Sequence, residues 1–490
     1  MQVWLRKLVV VVLVVLFFSA QHSGIWLNSA TKKKPIATKK ISQSKSKTTQ
    51  SKSAKIRKKK SKRKARIIVR KVALNFVKEL ESEVLGNGVV YKKIQFGKDQ
   101  LRILVHVVAV DIDSTPNAIK VLKARNSIDG LDYLKNIYDD HNFELTRVYG
   151  GELLALANAN FWSAFLNYPI GILVADGEVI SMKKYKEWSS IFFDEDNRPY
   201  IDNFDLSCQL ILPTSNRIEI DNVNKRTNED RVVLYNKYYG DTIPKLHIKD
   251  FDKILQETIS SIVSNLDYTD SSEIEIDTNE IRNQIMLTKM EESKEFATKK
   301  LLFRYLESPA INEKVKVEFL RADTGIIQIP SDGFVLTLPT ENNYGLNLKK
   351  GDQCHLIFTT NKFSYIKFMN AVSGTPRLVR KGVAKHEAYQ EGSRGYRFIG
   401  SNLPRTAIGT NMSKTRIYLF VVESSRANNS VGANLTQLAH IAKKIGCYDA
   451  MNLDGGGSSI LIVKGKRVNR TEGSNGRKIS VAIGISTKKQ

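Results

Sequence analysis

MNLDGGGSSILIVKGKRVN, residues 451–469, runs from apolar residues through one acid, three glycines and two serines into a second apolar run. Three side-chain-free positions in a row are entropically costly to order, so the turn between the two strand-like runs must need them or a ligand must. A tight hairpin corner satisfies the first reading. In the second, bare backbone N–H groups converge on an oxyanion, and the carboxylate of Asp454 stands at the end of the preceding strand, where α/β sheets place their chemistry. Residue spacing leaves both open.

Upstream, NLTQLAHIAKKIGC places Leu435, Leu438, Ala439, Ala442 and Ile445 on one helical face. Lys443 and Lys444 fall in its last turn and Gly446 at its stop. This helix, the glycine corner and the following apolar run form a C-terminal helix-strand-hairpin unit. Short β-branched runs recur earlier, in VVYKKIQF from Val89, LRILVHVVAVDI from Leu101 and LLALANANFW from Leu153. Asp176-Gly177 in GILVADGEVIS is a two-residue hairpin signal. The segment from about 246 to 309 changes texture to helical apolar spacing and reads as a helical insertion. The fold class expected is α+β, a β-rich domain over residues 87–490 carrying that insertion.

Charge is concentrated at the other end. The 490-residue chain carries +26, but residues 31–70 hold eighteen Lys or Arg and no acid; removing those with Arg6 and Lys7 leaves +6 from residue 71 onward. Residues 1–30 hold Arg6 and Lys7 followed by the apolar run Leu8–Phe18, the pattern of a signal peptide or an N-terminal membrane anchor, and point to export. Residues 31–65, with almost nothing apolar, read as a Lys/Ser-rich disordered tether able to attract an anionic polymer or membrane surface. A basic linker helix is expected over 66–86. Specific nucleic-acid recognition is not expected.

Three widely spaced cysteines form no disulfide framework, and seven histidines show no ligand spacing. Serine-triad, phosphate-loop, dinucleotide and zinc-peptidase motifs are absent from the sequence, so the reading needs neither metal nor cofactor.

LAHIAKKIGCYDAMNLDGGGSSILIVKGKRVNR with GRKISVAIGIS resembles the C-terminal signature of the phosphodiester glycosidase family. LALANANFW with GILVADGEVIS, IDNVNKRTNEDRVVLYNKYYG, DGFVLTL with NAVSGTPRLVRKG, and LPRTAIGTN follow in the family's order. The likeness runs from about Gly88 to Ser486, leaving out the insertion. It implies hydrolysis of the glycosidic bond of a sugar-1-phosphodiester, in exopolysaccharide or cell-envelope glycopolymer metabolism. The matching positions imply Asp454, Glu423 and Arg405 as catalytic residues, and Asn158, Arg377, Gly455, Gly456, Gly457 and Ser458 as substrate-binding ones. Departures are visible: Ala159 and Asn160 replace glycines, and Glu423 stands where the family has Asp. The rival reading is a non-catalytic envelope protein that binds glycan or polyanion through its Lys-rich tail.

Overall fold

β-Branched and aromatic residues alternate or run continuously through most of the chain, and they pair into antiparallel sheets whose buried faces meet. The computed structural model describes residues 74–487, except 99–100, 115–116, 228, 246–258, 260–293, 341–346 and 471–475. All the described residues belong to one compact unit.

The first sheet takes strands from both ends of the chain. Its order is Val77–Gly86, Val89–Phe96, Ile103–Asp111, Arg416–Ser425, Arg405–Thr410, Asp449–Asn452, Arg377–Arg380 and Val383–Ala384. A second sheet orders Lys466–Arg467, Leu461–Val463, Leu153–Asn158, Val481–Thr487 and Asn117–Lys123. The inner faces of both close on one apolar core that includes Val108, Leu154, Leu419, Val421, Leu461 and Ile483. Helix α1, Leu134–Glu144, covers the second sheet through Leu134 and Ile137. The middle of the chain forms an eight-stranded and a five-stranded sheet over a separate core rich in phenylalanine, with Phe192, Phe303, Phe334 and Phe368 fully buried.

The outer face of the first sheet is covered by a short helix α2, Tyr396–Gly400, and by helix α3, Leu435–Ile445. Helix α3 forms where its apolar spacing predicts. Asn434 and Gln437 close a capping box, and Gly446 ends it at φ 117°, where a side chain would be strained and would also meet the Tyr418 hydroxyl. The Asp176-Gly177 hairpin is formed as well, with both residues at positive φ.

Two expectations are corrected. Residues 77–86 of the expected linker helix are an edge strand, because Glu79 and Glu81 pair with Lys92 and Lys93 across the neighbouring strand and satisfy the charges there. The expected helical insertion does not reach Pro309. Thr298–Tyr305 is a strand between Val315–Asp323 and Gly333–Pro339, where two pairing partners override a local helical spacing. The helical spacing expected over 246–293 lies outside the described residues but for Ile259, as do the signal and tether of residues 1–65. Among the described residues no helix is long and apolar enough to cross a membrane.

Candidate active site

The glycine corner is where the chain passes from the first sheet to the second. Asp449–Asn452 pairs with Arg405–Thr410, and after eight intervening residues Leu461–Val463 pairs with Leu153–Asn158. Residues from the ends of three strands are thereby forced together. Asp454 N–H donates to Ala159 O at 2.8 Å, and Asn158 Nδ2 donates to Asp454 O at 2.6 Å. Asn158 Oδ1 accepts the Thr406 hydroxyl at 2.7 Å and the Ile460 N–H at 3.3 Å. Asn158 is fully buried and all its polar atoms hold protein, so it fixes the corner. It is not placed to bond a sugar hydroxyl directly.

The corner itself is a single 3-10 turn, Gly456–Ser458. Gly455 N–H donates to Asp454 Oδ1 at 2.8 Å, Gly456 N–H to Pro404 O at 2.9 Å, and the Ser458 and Ser459 amides to the carbonyls of Gly455 and Gly456. The expected anion nest of Gly455–Gly457 amides is therefore corrected. Turn formation consumes most of those donors and leaves at most the Gly457 N–H. Of the three glycines, Gly456 is the one whose backbone conformation favours the lack of a side chain, while Cβ atoms on the other two would meet their neighbours at close to ordinary contact. Gly456 sits at φ 62°, and a Cβ on Gly455 would stand 3.8 Å from Arg405 Cδ, and one on Gly457 3.5 Å from Arg477 Nε. Two arginines thus flank the turn.

Asp454 is the acidic group of the corner. Burial of its carboxyl pushes the pKa from 3.8 up to about 6, with the Ser458 hydroxyl, the Arg477 charge and the Gly455 amide pulling it back. Among the described residues no other carboxyl group bears on it.

Among the described residues Arg405 has no carboxylate partner. Its Nε donates to Ala433 O at 3.0 Å and its Nη2 to Phe398 O at 2.7 Å and Ser401 O at 3.2 Å, with the guanidinium 5.4 Å from the Phe398 ring centre. Carbonyl dipoles orient this charge without cancelling it. Burial alone lowers its pKa to about 10, so the arginine stays charged at neutral pH. Nη1 is outside these bonds.

Arg377 is brought elsewhere. Its Nη2 pairs with Asp449, at the far end of the strand Asp449–Asn452 from the corner, and its own N–H bonds Glu391. The structure does not bring this guanidinium to Asp454. Glu423 is also sealed from the corner. His106 Nε2 donates to Oε2 at 3.1 Å, Asn428 Nδ2 to Oε1 at 2.7 Å and Arg470 N–H to Oε2 at 3.1 Å, and the residue is 0% exposed. Burial raises its pKa, but those three donors outweigh it and hold the carboxyl below its ordinary value. Behind it His106 Nδ1 accepts the Tyr91 hydroxyl at 2.9 Å, the tautomer that follows when Nε2 donates. Glu423 anchors Asn428 and the Arg470 backbone, and neighbouring Asn469 bonds Ser459 O and Leu461 N.

Sequence reasoning passed over Arg477, which lies in the quoted GRKIS but carried no assigned role, and over Thr406, which bonds Asn158. It also passed over Phe161 and Phe398, whose rings meet at 6.2 Å beside Arg405. Only a contact map reveals these, since none has a spacing signal. A cavity of about 380 Å³ lined by His386, Tyr389 and Thr436, among others, lies against α3, and no carboxylate lines it. Among the described residues no cluster of metal-ligating side chains occurs.

Residues 310–486 match the phosphodiester glycosidase family. That phosphodiester glycosidase region contains the glycine corner, Asp454 and Arg405, whereas Asn158 reaches the corner from before it. No curated protein matches the chain. Among solved structures, a hypothetical protein from Synechocystis superposes with a TM-score of 0.53 at 17% identity, covering 82% of this chain; the chain spans 62% of that protein's length. A protein of Burkholderia pseudomallei described as exported gives 0.53 at 14% identity, over 84% of this chain and 97% of the other. These likenesses concern the fold. The catalytic domain of zebrafish N-acetylglucosamine-1-phosphodiester alpha-N-acetylglucosaminidase gives 0.39 at 11% identity, over 84% and 88%, too loose a superposition to support any inference.

Proposed function

We propose that the chain hydrolyses the glycosidic bond of a sugar-1-phosphodiester, with Asp454 as the reacting carboxylate. The observation that carries this reading is a single buried carboxyl, its pKa near 6, on a glycine turn flanked by two arginines. In this reaction the bond between C1 and the bridging oxygen breaks, and its electron pair leaves on a phosphate monoester. That leaving group is a stable anion and needs no general acid, which suits a site with one carboxylate where ordinary glycosidases use two. Asp454 in its ionised form supports the oxocarbenium-like centre, as nucleophile or as base for water. Arg405 faces the developing phosphate charge without a competing acid, and a planar guanidinium suits that oxyanion better than an ammonium. Glu423 and Asn158 act as positioning residues that hold the loops of the corner.

The family match supports the reaction class, and the apolar run Leu8–Phe18 supports an exported location, as does the description of the Burkholderia protein. The test is turnover of the methyl diester of N-acetylglucosamine 1-phosphate or of glucose 1-phosphate. The native chain should release free sugar and methyl phosphate, and Asp454→Asn should release neither while remaining folded. Equal turnover by the variant removes Asp454 from the mechanism.

A further inference from the structure

We infer that the sugar ring of the substrate stacks on an aromatic shelf formed by Phe161 and Phe398 at the rim of the glycine corner. This rests on the proposed sugar-phosphodiester reaction and assigns the part of the site that would read the sugar. The chain that holds Asp454 in place through Ala159 O continues two residues on to Phe161. Phe161 meets Phe398 edge-on at 6.2 Å and 70°, and Trp188 at 5.3 Å and 62°, with Tyr185 in turn against Trp188 at 4.9 Å. Phe398 belongs to α2, and Arg405 fixes it from both sides, by donating to its carbonyl and by lying over its ring. One arginine therefore sets the distance between the phosphate charge and the aromatic surface.

A purely structural plug would bury its rings. Trp188 does so, at 8% exposure, but Phe161, Phe398 and Tyr185 remain half-buried beside a charged corner. An aromatic face carries negative charge density that attracts the polarised C–H groups of one face of a pyranose, whereas its hydroxyls point outward to water or polar groups. A phosphate held by Arg405 places C1 one bridging oxygen away, and the ring attached to it falls over Phe398 and Phe161. The class of ligand is a pyranosyl unit with one continuous C–H face.

The experiment uses the full chain with Phe161→Leu and Phe398→Leu, which keep apolar volume and remove the ring face. With the methyl diester of N-acetylglucosamine 1-phosphate, each variant should raise KM about five- to tenfold. The inhibition constant of inorganic phosphate should move by less than about twofold, because phosphate does not touch the shelf. An unchanged KM overturns the shelf, and so does a phosphate inhibition constant that rises in step with KM, since that reports a displaced Arg405. If the native chain turns over no diester, the reaction proposed above fails by itself. The shelf is then read by saturation-transfer NMR with methyl α-N-acetylglucosaminide: binding lost in both leucine variants supports it, and no binding to the native chain, or binding unchanged in the variants, overturns it.

Discussion

Replacing Asp454 by Asn should make the protein inactive and, above pH 6, more stable. The buried carboxyl titrates near 6 in the fold against an ordinary 3.8, so the folded state prefers the protonated form. The sign follows from that order: proton binding favours the fold below the unfolded value, and the advantage is lost as pH rises through about 6. The difference of those two pKa values corresponds to about 3 kcal/mol. That figure is an upper bound, because the residue is part-exposed and solvent screens some of the penalty. Asparagine keeps an oxygen for the Gly455 N–H but never ionises. The variant and the native chain should match near pH 4 and separate through pH 6. At pH 8 the variant should melt up to about 3 to 4 °C higher, given the unfolding entropy of roughly four hundred ordered residues. Differential scanning calorimetry from pH 4 to 8 measures this. A gap that does not change with pH, or a variant less stable at pH 8, refutes the buried-carboxylate argument.

Asn158→Ala removes the partner of Asp454 O, the Thr406 hydroxyl and the Ile460 N–H together, and should cost about 2–4 kcal/mol by denaturant unfolding while sharply lowering kcat. Glu423→Ala strips three donors of their acceptor and should cost about 3 kcal/mol at pH 7; since Glu423 is held below its ordinary pKa, that cost should shrink as pH falls below about 4.5. Arg405→Lys should weaken inhibition by inorganic phosphate about tenfold or more, whereas Arg377→Lys should leave phosphate inhibition unchanged and lower the melting temperature through its pair with Asp449.

Periodicity and turn chemistry made the sheets, the Asp176-Gly177 hairpin and helix α3 legible, because each is decided by local spacing and a cap or turn residue. The edge strand Val77–Gly86 was not legible. Its glutamates and one lysine carry no apolar alternation, and only the facing Lys92 and Lys93 show why the glutamates sit in a sheet. At the site, Asp454 and the glycines stand out in the sequence, and their turn is formed where it was expected. The partners of their amides do not stand out. Whether an amide faces a ligand or a carbonyl such as Pro404 O depends on how two sheets meet, which no segment encodes alone. The same limit applies to Arg377 and Glu423, both on matching segments yet bound to Asp449 and to His106 and Asn428. A charged residue at a strand end reveals its partner only through strand register.

The central claim is that water ends on the sugar and not on the phosphorus. Hydrolysis of the methyl diester of N-acetylglucosamine 1-phosphate in water enriched with oxygen-18 measures that directly, by mass spectrometry of both products. The account predicts label at the anomeric hydroxyl and unlabelled methyl phosphate. Label in the phosphate, or release of sugar 1-phosphate with methanol, would contradict it.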